Sequence, residues 1–451
     1  MNIILLSGGS GKRLWPLSNE IRSKQFIRLF KDEQGEYESM VQRVYRQIRT
    51  ADPEANVTIA TSKTQVSAIR NQLGNAVSVC VEPMRRDTFP AIALAAAYLR
   101  YEEGAGEEET AVVCPVDPYV ENSYFENLKK LDELAKNGEA RLVLMGIEPD
   151  SPSEKYGYII PEDKEFVSSV KAFKEKPDTA TAEGYLAQGA LWNAGVFAFK
   201  LSYVLDIARR AVDFEDYRDL YLKYEKLPKI SFDYAVVEKE PSIRVMRYFG
   251  EWKDVGTWNT MAEAMADKTK GNVMLDETAE NVHVVNELDI PILVMGGKDM
   301  IIAASGDGIL VADKERSGSM KPYVEKIVTD VRFAEKSWGS ITVVDAEPGS
   351  VTMKVVMKPG TRMSYHSHEL RNEIWTVLSG RGMTVVDDME QQIGPGDVVS
   401  VAAGCRHTVI ADTDLTLLEI QIGSEISAAD KKKYELNGAL FIDDAPDRWN
   451  E

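Results

Sequence analysis

At 451 residues, with 44% hydrophobic and 28% charged residues, the chain has the make-up of a soluble globular protein and is too long for a single compact core. Its formal net charge of −19 argues against nucleic acid or an anionic membrane as a partner, and no apolar run is long enough to cross a bilayer. Three scattered cysteines, Cys80, Cys114 and Cys405, fit no disulfide or metal pattern, and Met1 opens directly on a strand-like run; both point to a reducing, cytoplasmic setting.

The run Asn2-Ile3-Ile4-Leu5-Leu6 reads as a buried parallel strand. Gly8, Gly9 and Gly11 follow it, then Lys12, Arg13, Arg22 and Lys24. Glycines let a backbone approach a bulky anion with its N–H groups turned inward, and the cations neutralise that anion, so this is a polyphosphate site at the edge of a sheet. The spacing is neither that of a Walker loop nor the full dinucleotide fingerprint. Further apolar runs at Val57–Ala60, Val77–Val81, Ala111–Cys114 and Leu142–Met145 alternate with helical patterns around Met40–Ile48 and Phe89–Tyr101, Pro90 lying in the first turn of the second. Such alternation predicts a mainly parallel α/β sheet covered on both faces, with ligands beyond the carboxyl ends of the strands. Two acids, Asp117 and Asp254, and the pair Arg85-Arg86 fall where strands should have ended.

The ordered series Gly8, Gly9, Gly11, Arg13, Pro16 and Lys24 resembles the signature of sugar-1-phosphate nucleotidylyltransferases, and Leu14-Trp15-Pro16-Leu17-Ser18 narrows it to the mannose-1-phosphate guanylyltransferase branch. The likeness continues through Tyr156–Ile159, Phe173–Asp178, Trp192–Phe197, Phe232–Lys239 and Trp252–Trp258. It implies a Rossmann-like nucleotidyltransferase domain with a mixed, mainly parallel sheet. It also implies that GTP and mannose 1-phosphate give GDP-mannose and diphosphate by Mg2+-assisted in-line attack on the α-phosphate. By the same resemblance, Arg13 and Lys24 hold the triphosphate together with Leu6, Gly8, Gly9, Gly11 and Lys12, and Asp117 and Asp254 bind Mg2+. Glu82, Pro83 and Arg86 read the base; Gly157, Glu175 and Asn193 meet the sugar and Lys176 its phosphate. Ser23, Lys12, Arg85, Asp87 and Pro118 depart from the family pattern, which leaves the nucleotide more open than the reaction.

From Lys268 the texture changes to short β-rich rungs, for which the resemblance implies a left-handed β-helix-like connector; His283 is a bystander there, and Ala312–Ser319 reads as a polar linker. Beyond it, evenly spaced short strands predict an all-β sandwich or jelly roll. The order Gly360, His366, His368, Glu373, Gly380, then Gly396, Gly404 and His407 resembles the cupin signature, and three nitrogens with one carboxylate suit Zn, Mn, Fe or Ni. The expected domains are 1–265, 266–330, 331–424 and a tail, 425–451, helical over Asp430–Leu436 and without chemistry. The combination resembles bifunctional phosphomannose isomerase/guanylyltransferase proteins, but the histidine cluster is thinned and the usual tail replaced, so isomerase activity is an alternative reading. A guanylyltransferase for another sugar 1-phosphate and a sugar-nucleotide-sensing regulatory protein are two further readings. A homo-oligomer, a dimer, is expected.

Overall fold

The structure is a computed structural model that describes residues 1–9, 12–19, 21–327, 331–427, 429–436 and 439–440. Two compact units form: Met1–Gly9, Arg28–Lys63 and Asn75–Gly256 make the first, and Ser10–Ile27, Thr64–Gly74 and Thr257–Glu451 the second. Among the described residues no helix is long and apolar enough to cross a membrane.

The first unit is built on a nine-stranded sheet. Its spatial order is Ser78–Glu82, Asn56–Ser62, Asn2–Ser7, Thr110–Pro115, Leu191–Lys200, Leu142–Ile147, Ile243–Tyr248, Val167–Lys174 and Tyr158–Pro161. Ile3, Ile4, Leu5, Val112, Val113, Leu142, Val143 and Leu144 are wholly buried, as the central strands of a sheet covered on both faces must be. The helix Met40–Ala51 starts at a capping box between Ser39 and Gln42. Asp87 accepts from the Thr88 N–H and opens the helix Thr88–Tyr101, whose alanines pack flat against the sheet. The sheet is parallel only from Ser78–Glu82 to Thr110–Pro115; beyond that, Ile243–Tyr248 alone runs parallel to its neighbour Leu142–Ile147, and the other pairings are antiparallel. Short connections explain the change. Residues 162–166 are too few to cross over the sheet, so Tyr158–Pro161 and Val167–Lys174 pair antiparallel.

In the second unit the segment after the glycine-rich turn is fastened to the connector. The Trp258 indole N–H donates to the Trp15 carbonyl at 2.9 Å, and Ser305 donates to the Pro16 carbonyl at 2.7 Å. Arg22, expected from the sequence to help hold phosphate, is instead buried in a two-pronged pair with Glu287 at 2.6 and 3.0 Å, its guanidinium 4.9 Å from the centre of the Phe333 ring. A guanidinium committed to a carboxylate in this way is a structural ion pair. The connector stacks short parallel strands, Thr269–Lys270, His283–Asn286 and Met300–Ser305 on one ladder and Val273–Leu275 and Ile292–Val294 on another. Burial, with Lys314 and Lys268, pushes the His283 imidazole down to about 4, so it is neutral near pH 7. The expected linker Ala312–Ser319 is ordered: it ends the strand Gly308–Asp313 and forms the turn Arg316–Ser319, with Ser317 buried and donating to the Lys314 carbonyl.

The all-β part has two six-stranded sheets around Trp338, Val355, Met357, Trp375, Leu415 and Leu417. Here the tail departs from expectation. Lys432–Leu436 is a strand, not a helix, paired antiparallel with Tyr365–Ser367. The Tyr365–Ser367 edge offers backbone partners, and Tyr434 and Leu436, two apart, join a cluster with Tyr365 and Val385, which a strand's period satisfies and a helix's does not. Replacing Arg22 by Ala removes the two-pronged ion pair from the Glu287 carboxylate, which is 22% exposed. A loss of about 2–4 kcal/mol is expected in urea unfolding of the full chain, with Glu287→Gln costing less.

Candidate active site and a buried histidine cluster

A cavity of about 250 Å3 opens beyond the carboxyl end of Thr110–Pro115. Six of the sequence-predicted residues line it: Leu6, Asp117, Gly157, Glu175, Asn193 and Asp254. Asp117 and Asp254 come together because Pro118–Val120 and Trp252–Asp254 form an antiparallel ribbon with Asp254 opposite Pro118. Their charge is felt next door. Burial, then Asp254, Asp150 and Asp117, push the Tyr156 phenol up to about 12. Paired carboxylates at a cavity wall are the oxygen donors that a hard divalent cation such as Mg2+ takes, and the donor set fits that ion.

The opposite wall depends on an irregularity in Leu191–Lys200. Its register against Leu142–Ile147 shifts between Asn193 and Phe197, and Gly195 adopts φ +70° there. The Gly195 N–H donates to Asn193 Oδ1 at 3.1 Å, while Asn193 Nδ2 donates to Asp233 Oδ1 at 2.7 Å, so the amide is oriented at both ends. The Asn193 N–H donates to the Gly157 carbonyl at 2.8 Å. Gly157 has no alternative: a Cβ there would stand 2.5 Å from Glu175 Oε2 and 2.9 Å from the Phe173 ring. Glu175 is 5% exposed, its N–H donating to Glu238 at 3.1 Å and its carboxylate pairing with the half-exposed Lys176 ammonium at 2.8 Å.

The remaining predicted residues lie elsewhere. Glu82 ends the edge strand Ser78–Glu82 and Pro83 and Arg86 follow it; none of the three lines this cavity. Glu82 accepts from the Tyr224 hydroxyl at 2.6 Å and its carboxyl is raised by burial, and Arg86 Nε donates to the Leu227 carbonyl at 3.0 Å. Gly8 and Gly9 are exposed just after the first strand. Gly11 lies outside the described residues, as does the side chain of Lys12. Arg13 is exposed in the turn Lys12–Leu14 and Lys24 opens the turn Lys24–Phe26; both belong to the second unit.

Asp233 sits within one of the sequence motifs, yet nothing in the sequence assigns it a task. Burial, then the charge of Glu175, push its carboxyl up to about 6. An acid whose folded-state value is raised binds its proton more tightly when folded, so its contribution is present near pH 4 and lost as pH rises through 6. Asp233→Asn keeps an acceptor for Asn193 and is expected to flatten the fall in unfolding midpoint between pH 4 and 6 relative to wild type.

In the second unit, His366 faces His407 across paired strands, with His368 just beyond, and the ligating nitrogens of the three buried rings lie within 4.8 Å of one another. Each Nδ1 is satisfied by a carbonyl: His366 donates to Ser364 at 2.7 Å, His407 to Cys405 at 2.9 Å, and His368 to Asp430. That leaves the Nε2 lone pairs of His366 and His407 as ligand atoms, whereas that of His368 accepts from the Arg371 guanidinium. The buried His407 Nε2 has no hydrogen-bond partner and lies 3.3 Å from Glu373 Oε2, and His368 Nε2 lies 3.3 Å from Glu373 Oε1. Arg371 shares this corner, its NH2 2.8 Å from His368 Nε2. Burial, then Lys431 and His407, push His366 well below its ordinary value, keeping it neutral as a metal ligand must be. An orphaned nitrogen beside a carboxylate fits a divalent transition metal.

A cavity of about 700 Å3 stands over this cluster. Two residues on it carry chemistry that sequence reasoning missed. Glu419 is buried at the cavity wall, its carboxyl pushed up to about 8 by burial and by Glu373, and Lys431 comes from the tail, where no chemistry was expected. A signal for Glu419 existed: Leu415, Leu417, Glu419 and Gln421 share one buried face of their strand, so a carboxyl there is a buried polar group.

Residues 2–271 match the nucleotidyl transferase family and residues 353–421 the cupin domain. The mannose-1-phosphate guanylyltransferase of Klebsiella pneumoniae is 27% identical over 468 residues, covering 95% of this chain and 97% of its own. The alginate biosynthesis protein AlgA of Pseudomonas aeruginosa is 29% identical over 477 residues, covering 96% of each. A crystal structure described as mannose-1-phosphate geranyltransferase from Thermus thermophilus superposes with a TM-score of 0.58 at 28% identity, over 72% of this chain and 98% of that one. With its match spanning more than half of its length, this chain belongs to the nucleotidyl transferase family and carries a cupin domain after the transferase part.

Proposed function

We propose that this protein is a mannose-1-phosphate guanylyltransferase that makes GDP-mannose, a polysaccharide precursor, and diphosphate from GTP and mannose 1-phosphate. The observation that carries the reading is one cavity with a carboxylate pair, Asp117 and Asp254, on one wall and the Asn193–Asp233–Glu175 network on the other, in a chain alike over 95% of its length to a guanylyltransferase. In this reading a phosphate oxygen of mannose 1-phosphate forms a bond to the α-phosphorus as the bond to the β-phosphate breaks. Diphosphate leaves, and neither a proton transfer nor a covalent enzyme intermediate is needed. Asp117 and Asp254 would hold Mg2+, which supplies charge neutralisation between the two anionic substrates. Glu175 and Asn193 accept and donate to sugar hydroxyls, and Lys176 meets the sugar phosphate. Arg13 and Lys24, with Lys12 and the backbone at Leu6, Gly8, Gly9 and Gly11, hold the triphosphate and the leaving diphosphate. Glu82, Pro83 and Arg86 read the guanine, steadied by Tyr224 and Leu227. The protein acts in the cytoplasm as a homodimer.

A second activity is favoured by particular residues. Aldose–ketose isomerisation of a sugar phosphate needs an acid/base group and a cation, and the cupin cavity offers Glu419, protonated near neutrality, and Lys431 beside the histidine cluster. The metal would be held by His366, His368, His407 and Glu373.

The first test measures diphosphate release with each of four nucleoside triphosphates against several sugar 1-phosphates. GTP with mannose 1-phosphate is expected to be the best pair, and background rates for that pair sink the proposal. Asp254→Ala is expected to lower transfer by about a hundredfold or more while the cupin's metal content is unchanged. For the cupin, plasma emission of purified protein is expected to find a stoichiometric transition metal that His407→Ala loses. Interconversion of fructose 6-phosphate and mannose 6-phosphate is expected to fall sharply in Glu419→Gln, and its absence from wild type leaves the cupin without the second activity.

A further inference from the structure

A separate basin of about 680 Å3 lies in the first unit, at the opposite end of the sheet from the transferase cavity. The pairing of Leu191–Lys200 with Thr110–Pro115 fixes that relation. Asn193 projects beyond the carboxyl end of Thr110–Pro115, whereas Lys200 is level with Thr110, seven residues and roughly 20 Å away. The basin is walled by the start of Leu142–Ile147, the helix Leu201–Ala211 and the end of the turn Val237–Lys239.

Its charges are unusual for so acidic a chain. Arg141, Arg210 and Lys239 all line it, and among the described residues none of their side chains makes a hydrogen bond or ion pair. Lys200, also on the basin, is satisfied by Glu108 at 2.9 Å. Arg141 and Arg210 converge: both act on the Tyr203 phenol, which donates to Glu240 Oε2 at 2.7 Å. The chain carries 72 acids against 53 lysines and arginines, so three uncommitted cations facing one concavity mark a place where its field reverses sign. Two guanidiniums offer planar forks that match a phosphate's oxygens, and an ammonium adds a point charge. Beside them, the Asp206 and Glu240 carboxylates and the Ser202 hydroxyl suit the hydroxyl groups of a polyol rather than a second anion. The volume suits a small metabolite.

We propose that this basin is a second ligand site, distinct from both the transferase cavity and the cupin, that takes a phosphorylated polyhydroxy compound of sugar size. Arg141, Arg210 and Lys239 hold the phosphate, and Asp206, Glu240 and Ser202 hold hydroxyls. The site needs no catalytic activity of the chain, so its test stands apart from the transferase assay.

The test is calorimetric titration of the full-length protein with glucose 6-phosphate, and with glucose as the neutral control, in the presence of saturating GTP without divalent metal. Glucose 6-phosphate is expected to bind and glucose not. The double variant Arg141→Ser/Arg210→Ser, and independently Lys239→Ser, are expected to weaken binding by at least about tenfold. All three positions are exposed, so the variants are expected to keep the wild-type unfolding midpoint. No binding by wild type, equal binding by wild type and the double variant, or displacement by GTP would overturn the proposal.

Discussion

The first unit turns on one defect in one strand. Leu191–Lys200 lies at the middle of the sheet, antiparallel to both neighbours, and a regular ladder there would alternate its side chains strictly between the two faces. The shift between Asn193 and Phe197 breaks that alternation, and the positive φ of Gly195 lets its N–H turn back onto Asn193 Oδ1. Four residues of this strand span two of its neighbour, so two extra residues bulge at the cost of local pairing, and the Asn193 amide is left held between Gly195 and Asp233. The rest of that wall follows. The Gly157 carbonyl receives the Asn193 N–H, Glu175 occupies the space a side chain at Gly157 would fill, and Glu238 receives the Glu175 N–H.

Acidic crowding around this network has a measurable consequence. Asp233 is half-buried beside the buried Glu175, and desolvation with that charge raises the Asp233 carboxyl even though Asn193 donates to it. Burial outweighs the hydrogen bond. Asp117 and Asp254 are gathered differently, by a two-stranded ribbon at the cavity mouth, and raise the neighbouring Tyr156 phenol. Carboxylates so concentrated call for cations, and the chain does not spread its own evenly. Arg22 is consumed by Glu287 in the connector, while Arg141, Arg210 and Lys239 stand together at the far end of the sheet.

In the cupin the histidines are set by backbone rather than by side-chain partners. Three carbonyls, those of Ser364, Cys405 and Asp430, take the Nδ1 protons and so choose the tautomer. The last of these comes from the tail. Asp430 also accepts the Glu369 and Leu370 N–H groups with its carboxylate, which ties the tail to the loop between His368 and Glu373. A segment without a recognisable motif thereby becomes part of a buried site.

The local character of the sequence decided a great deal. Unbroken apolar runs such as Ile3–Leu5 and Leu142–Met145 can be buried only as central strands, and capping residues such as Ser39 and Asp87 mark helix starts. Leu6 and Asp117 share one cavity because they lie at or just past the ends of adjacent parallel strands, which meet on one side of an α/β sheet, while Gly157 and Asn193 reach it from the starts of Tyr158–Pro161 and Leu191–Lys200. The histidine spacing likewise announced its cluster, since residues two apart on a strand share a face. What only the tertiary structure decided depends on partners far away in the chain. Nothing near Arg22 foretells Glu287, nothing near Lys432–Leu436 foretells the strand edge at Tyr365–Ser367, and the charge of Glu373 that helps raise the Glu419 carboxyl comes from another strand. Charge and pairing are set by what lies opposite, and what lies opposite is fixed only when the chain has closed on itself.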